Sequence, residues 1–166
     1  MPFEVRVPEV EELEQGPPDE VVLENAYRKA AAVAAETGDA DPPVLGVDTI
    51  VSIGATIYGK PRDAAHAGAM LAELGGREHV VLSGVCLIAR GRVRTAAARA
   101  VVEFRALDDA AVERYVATGE WRGRAGGYAI QGRGATLVTR IDGDYLGVVG
   151  LPVSTLLDLD PGLVEP

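Results

Sequence analysis

Positive charge is scarce in this chain. Its 16 Lys and Arg residues face 25 Asp and Glu, for a formal net charge of −9. Long DNA or RNA is held through many Lys and Arg contacts to phosphate, so a polymeric nucleic-acid partner is disfavoured. A small anion is not, because a pocket needs only a few local cations. Cysteine is rarer still: the one Cys86 lies in the apolar run "VVLSGVCLIA" and reads as a buried, inert thiol. The two histidines, His66 and His79, have no metal-ligand spacing between them and read as structural. No Ser-His-Asp arrangement with a nucleophile elbow is present. No apolar run approaches the roughly 18 residues of a membrane span, and Met1-Pro2-Phe3-Glu4 opens no signal peptide. A soluble, cytoplasmic protein without membrane contact is the expectation.

What the chain does have is an ordinary globular composition, 48% hydrophobic and 25% charged over 166 residues, enough for one domain with a proper core. "PPDEVVLENAYRKAAAVAAETG" reads as a helix, with acids in its first turn, Gly38 as its stop and Val22, Leu23, Ala26, Ala30 and Val33 on one stripe. "VLGVDTIVSI" follows as a β-branched strand, turned by Gly54-Ala55 into the return strand "TIYG". Asp63 caps a second helix that leaves through Gly75-Gly76. "HVVLSGVCLIA" and "RTAAARAVVEFRAL" pair around Arg90-Gly91-Arg92, and Asp108 opens a third helix with Ala111, Val112, Tyr115 and Val116 facing inward. After a Gly-rich loop, "ATLVTRI" and "YLGVVGL" read as a hairpin around Asp142-Gly143-Asp144, and Pro152 starts a last short helix. This mixture of hairpins and helices predicts an α/β (mixed α+β) domain over 1–166, with a curved mixed sheet flanked by helices.

"GATIYGKP" imitates a phosphate-binding loop, with Gly54, Gly59 and Lys60 at the spacing G-x-x-x-x-G-K. Pro61 then stands where a magnesium-binding hydroxyl belongs, and the glycines bracket a return strand instead of opening a helix. The match is accidental, yet the hairpin brings Lys60 back beside Asp48. Asp48 itself interrupts an apolar strand, where a carboxylate is costly unless paired or bound to metal. The plain alternative is an Asp that caps a turn or pairs with an internal Lys. Lys29, on the preceding helix, and Lys60 would be solvated surface charge, or, in a site, the cations of a triphosphate pocket. "GRAGGYAIQGRG" allows close backbone approach to a ligand, and its Gln131 can satisfy a backbone group or read a base edge. Glu11 and Glu12 of "EVEE" form a charge cluster, one member of which could share a divalent cation with Asp48.

Together, "NAYRKA" (25–30), "VLGVDTIV" (44–51), "GKPRDAAHAGAMLAELGGREHVVLSGV" (59–85), "AGGYAIQGRGA" (125–135) and "IDGDYLGVVGLP" (141–152) resemble, in order, the Maf family of nucleoside triphosphate pyrophosphatases, of ITPase-like fold. The resemblance implies hydrolysis of a nucleoside triphosphate between the α and β phosphates with a divalent metal cation, Mg²⁺ or Mn²⁺. It makes Asp48 the proton acceptor and a metal ligand, Lys29 and Lys60 phosphate-binding residues, and a glutamate of "EVEE", with Glu12 preferred, a second metal ligand. Thr49 and Gln131 match the positions associated with base choice. Asp-Thr with Gln in "YAIQG" resembles the branch acting on dTTP and UTP; the branch preferring 7-methyl-GTP and CTP tends to carry Gln after the Asp and Glu in place of Gln131. Uracil and thymine present N3–H beside O4, which a Gln amide can match, but the amide can also flip to suit cytosine. A homodimer is the oligomeric state the family suggests.

The chain departs from the family in three places. Members begin with a strand and a Ser-x-Ser-Pro-Arg-Arg loop, whereas "MPFEV" resembles the segment just beyond it. The expectation is a misassigned start codon and a natural protein about 20 to 25 residues longer, which would supply the missing strand and arginine. Gly123-Arg124 replaces Asp-Lys, keeping the cation and losing a carboxylate, and Gly147 replaces a small polar residue. Two other readings stand beside the first: the same chemistry on 7-methyl-GTP/CTP or ITP/XTP, and a nucleotide-binding remnant of low activity.

Overall fold

A computed structural model describes residues 3–37 and 42–164. The sheet has five strands in the order β2-β1-β3-β4-β5: β1 Val44–Ile53, β2 Thr56–Tyr58, β3 Glu78–Ala89, β4 Arg92–Phe104 and β5 Val138–Gly143. The helices are α1 Pro18–Thr37, α2 Ala64–Leu74, α3 Asp109–Thr118, α4 Tyr145–Val149 and α5 Val153–Leu159. The expected α/β architecture, a sheet flanked by helices, is the one that forms. All four described pairings are antiparallel, where a mixed sheet was expected, because the chain reverses before entering each neighbouring strand. No helix of the described residues is long and apolar enough to cross a membrane.

Local chemistry explains the boundaries. Asp63 accepts a hydrogen bond from the His66 amide at 2.7 Å and Asp108 from the Ala111 amide at 2.7 Å, so each carboxylate satisfies a first-turn donor of α2 or α3. The Gly38 stop of α1 lies outside the described residues. One expectation fails outright: in "YLGVVGL" the stretch Tyr145–Val149 is helix, not the second arm of a hairpin. Asp144 caps it through the Leu146 amide at 2.9 Å, and that cap outweighs the strand preference of Val148 and Val149.

The two faces of the sheet are covered differently. On one, α1 lies with its backbone against the strands, and Val22, Ala26 and Ala30 are fully buried beside Ile50, Leu82 and Cys86. Gly46 and Gly84 permit that approach: a Cβ would come within 2.2 Å of the Ala26 carbonyl oxygen at the first and 2.6 Å of the Val22 carbonyl oxygen at the second. The other face carries the larger core, where Val51, Leu71, Leu74, Val102, Phe104, Tyr115 and Trp121 meet. Each such large side chain contributes about 1.5–3 kcal/mol on burial.

Candidate active site

β2 pairs only with Val51–Ile53 of β1, so the stretch Val44–Ile50 has β3 on one side and a cleft of about 500 Å³ on the other. Side chains alternate along a strand. Asp48 therefore turns to the α1 face and Thr49 to the opposite one, while both line the cleft. Close packing of α1 on Gly46 and Gly84 is what sets Asn25 and Lys29 over Asp48.

Asp48 is 5% exposed. Lys29 Nζ donates to its Oδ1 at 2.5 Å and Asn25 Nδ2 to its Oδ2 at 3.2 Å. Asn25, itself 1% exposed, also holds the extended segment before α1: it accepts from the Leu13 amide at 2.7 Å and donates to the Leu13 carbonyl at 3.0 Å. That clamp delivers Glu12, whose carboxylate lies 3.2 Å from Lys29 Nζ and 3.1 Å from Lys60 Nζ. The backbone carbonyl of Glu11 accepts from Arg28 on the outside. Burial disfavours charge on Lys29, but the hydrogen bond and charge of Asp48, with Glu12 behind them, hold its pKa above the usual lysine range. Burial likewise opposes ionisation of Glu12, and Lys29 and Lys60 together outweigh it and keep its pKa below the usual carboxylate range.

The Gly-rich loop closes the far wall as two short 3₁₀ turns, Ala125–Gly127 and Gly132–Leu137. It presents Arg124 and the exposed Gln131 to the cleft. Both oxygens of Glu120 accept from the Arg133 amide, and the Gly134 amide joins at 3.2 Å, so one carboxylate pins the turn after Gln131. Behind the wall, Tyr128 OH meets Nε2 of the fully buried His79 at 2.8 Å, and burial lowers the pKa of His79 to about 4.

Asp48, Lys29, Lys60, Thr49 and Gln131 thus share one cleft, and Glu12 joins the two lysines at its edge. Among the described contacts Lys60 is linked to Asp48 through Glu12 and then Lys29, not directly as its hairpin suggested. His66 and His79 stay structural, and Cys86 is buried with its thiol pKa pushed up to about 11 by burial. No group of three or more His, Cys, Asp or Glu side chains able to hold a metal occurs among the described residues. Sequence reasoning assigned no role to Asn25, Ser83 or Glu120. Asn25 left a signal, an amide within the apolar stripe of α1 and one turn before Lys29.

A sheet-edge cleft with a buried carboxylate on its floor and ammonium groups at its mouth defines a small α/β protein built to receive a polyanion. The comparison with known proteins narrows that class. The family model described as Maf-like protein matches residues 1–159. The chain is 45% identical over 159 residues to the dTTP/UTP pyrophosphatase of Bacillus cytotoxicus, covering 95% of this chain and 82% of that one. It is 39% identical over 149 residues to the dTTP/UTP pyrophosphatase of Pyrococcus furiosus, covering 90% and 77%. With the dTTP/UTP pyrophosphatase of Bacillus cereus strain AH820 the figures are 43% over 159 residues, 95% and 82%. The chain belongs to the Maf family.

Proposed function

We propose that this protein is a nucleoside triphosphate pyrophosphatase that converts dTTP and UTP to the monophosphate and pyrophosphate. In the cell it would clear the nucleotide pool of the cytoplasm, working through one domain that spans the chain. The observation that carries the reading is the Asp48–Lys29–Glu12–Lys60 chain of charges at the cleft.

Asp48 is the proton acceptor for the attacking water. It is aimed by Lys29 and Asn25, and each of its oxygens keeps a second lone pair for the water's proton. Lys29 and Lys60 grip the phosphates and stabilise the charge that builds on the departing pyrophosphate. A divalent cation, Mg²⁺ or Mn²⁺, fits the donors present. Asp48 and Glu12 are hard oxygen ligands already gathered around one ammonium, and substrate phosphates with waters complete such a shell. When bound, that ion supplies charge neutralisation at the phosphates and a more acidic water. Thr49 and Gln131 read the base.

The test is product analysis. Incubation with UTP or dTTP and either cation, followed by ion-exchange chromatography, should release monophosphate and pyrophosphate in equal amounts. A panel with CTP, 7-methyl-GTP, ITP and XTP ranks the bases. Release of UDP with orthophosphate refutes the reading, and a ranking led by another base moves the substrate while keeping the chemistry.

A further inference from the structure

Thr49 and Ser83 are directly opposed in the β1–β3 register, and their hydroxyl oxygens lie 2.7 Å apart. Ser83, 1% exposed, also lies 2.6 Å from the carbonyl oxygen of Gly147 in α4. A carbonyl can only accept, so the one proton of Ser83 belongs to that bond. Thr49 must then donate its own proton to Ser83. We infer that Ser83 is a positioning residue for base choice: by committing its proton to Gly147 it turns the Thr49 hydroxyl into a fixed hydrogen-bond acceptor facing the cleft.

The surroundings make that polarity matter. On its own face of β1 Thr49 stands between Val47 and Val51, and Val81, Val148 and Val149 line the same cleft, so its oxygen is a polar group with apolar neighbours. A flat base placed there is selected by one contact. Uracil and thymine present the N3–H donor that a fixed acceptor requires. Cytosine presents a bare N3 lone pair at the same position, leaving two acceptors face to face. Gln131 cannot make this choice alone, because its amide can flip to suit either base. The relay supplies the fixed polarity that the amide lacks. This inference rests on the pyrimidine reading above, whereas its test depends on binding and not on turnover.

Calorimetry with the non-hydrolysable α,β-methylene analogues of UTP and CTP measures the preference directly. The wild-type protein should favour the uracil analogue by about ten- to a hundred-fold, the range for a buried polar mismatch. Ser83→Ala frees the Thr49 hydroxyl to rotate and donate to cytosine, and the preference should fall to within about threefold, mainly through tighter CTP-analogue binding. Because Ser83→Ala also loosens α4, Thr49→Val provides a second route that leaves the Ser83–Gly147 bond intact; it should lose uracil affinity and the preference with it. Thr49→Ser keeps the relay and should restore both, which a merely structural role for Ser83 would not require. An unchanged preference in folded Ser83→Ala overturns the inference, as does a wild-type protein that binds the analogues equally or not at all. Pyrophosphate release from UTP in that last case leaves the proposed function standing without the relay.

Discussion

Replacing Lys29 with Met strips Asp48 of its only direct ion-pair partner among the described residues. The side chain of Asp48 is 4% exposed and that of Lys29 20%, so the pair sits well out of bulk water. Removing one partner of a fully buried pair costs about 3–5 kcal/mol. Here Asn25 still donates to Oδ2, and the cleft admits water to the lysine side, which lowers the expected loss to about 2–3 kcal/mol. With a urea slope of about 2 kcal/mol/M, the unfolding midpoint falls by roughly 1–1.5 M. Lys29→Met/Asp48→Asn removes the orphaned charge and should recover at least half the loss. A midpoint shift below about 0.3 M would refute the view that this pair is buried and coupled.

Lys60 is the contrasting case, because its side chain is 55% exposed. Lys60→Met should change stability by less than about 0.5 kcal/mol and raise the KM for UTP roughly tenfold, as urea unfolding and steady-state kinetics would register. Gly147 sits in α4, and a Cβ there meets nothing closer than 3.5 Å, while the neighbouring Asp144 Oδ2 is buried with no hydrogen-bond partner among the described residues. Gly147→Ser should therefore stabilise by about 1 kcal/mol through helix propensity and a hydroxyl aimed at that oxygen, visible as a higher urea midpoint. His79 is held neutral, its pKa lowered from 6.5 to about 4, so the unfolded chain takes up a proton first as pH falls. Its contribution is complete above pH 6.5 and is lost between 6.5 and 4, by about 3 kcal/mol. Subtracting the pH–stability curve of His79→Gln from that of wild type should isolate this slope; a flat difference would contradict it.

The elements that sequence made legible are those specified locally. A β-branched run gives β1, while Asp63 and Asp108 announce α2 and α3 by capping chemistry that needs no distant partner. Asp48 was visible as a carboxylate in an apolar strand, Lys29, Lys60 and Gln131 were candidates from their own setting with roles sharpened by the family resemblance, and Thr49 became one through the resemblance alone. What stayed hidden depends on neighbours remote in sequence. Ser83 matters only because the β1–β3 register sets it opposite Thr49, and Asn25 only because α1 lies flat on Gly46 and Gly84. The antiparallel sheet is a non-local outcome of the same kind. Helix α4 was misread because Val148 and Val149 favour a strand when Asp144 is taken as a turn residue instead of a cap.

The central claim is that Asp48 takes the proton from the attacking water in a cleft that holds the triphosphate by other groups. Single-turnover hydrolysis of UTP by Asp48→Asn, measured beside calorimetric binding of the α,β-methylene analogue, tests it most directly. The expected result is a rate at least about a hundredfold below wild type with analogue affinity within roughly tenfold. Hydrolysis within about threefold of wild type by the folded variant would contradict the account.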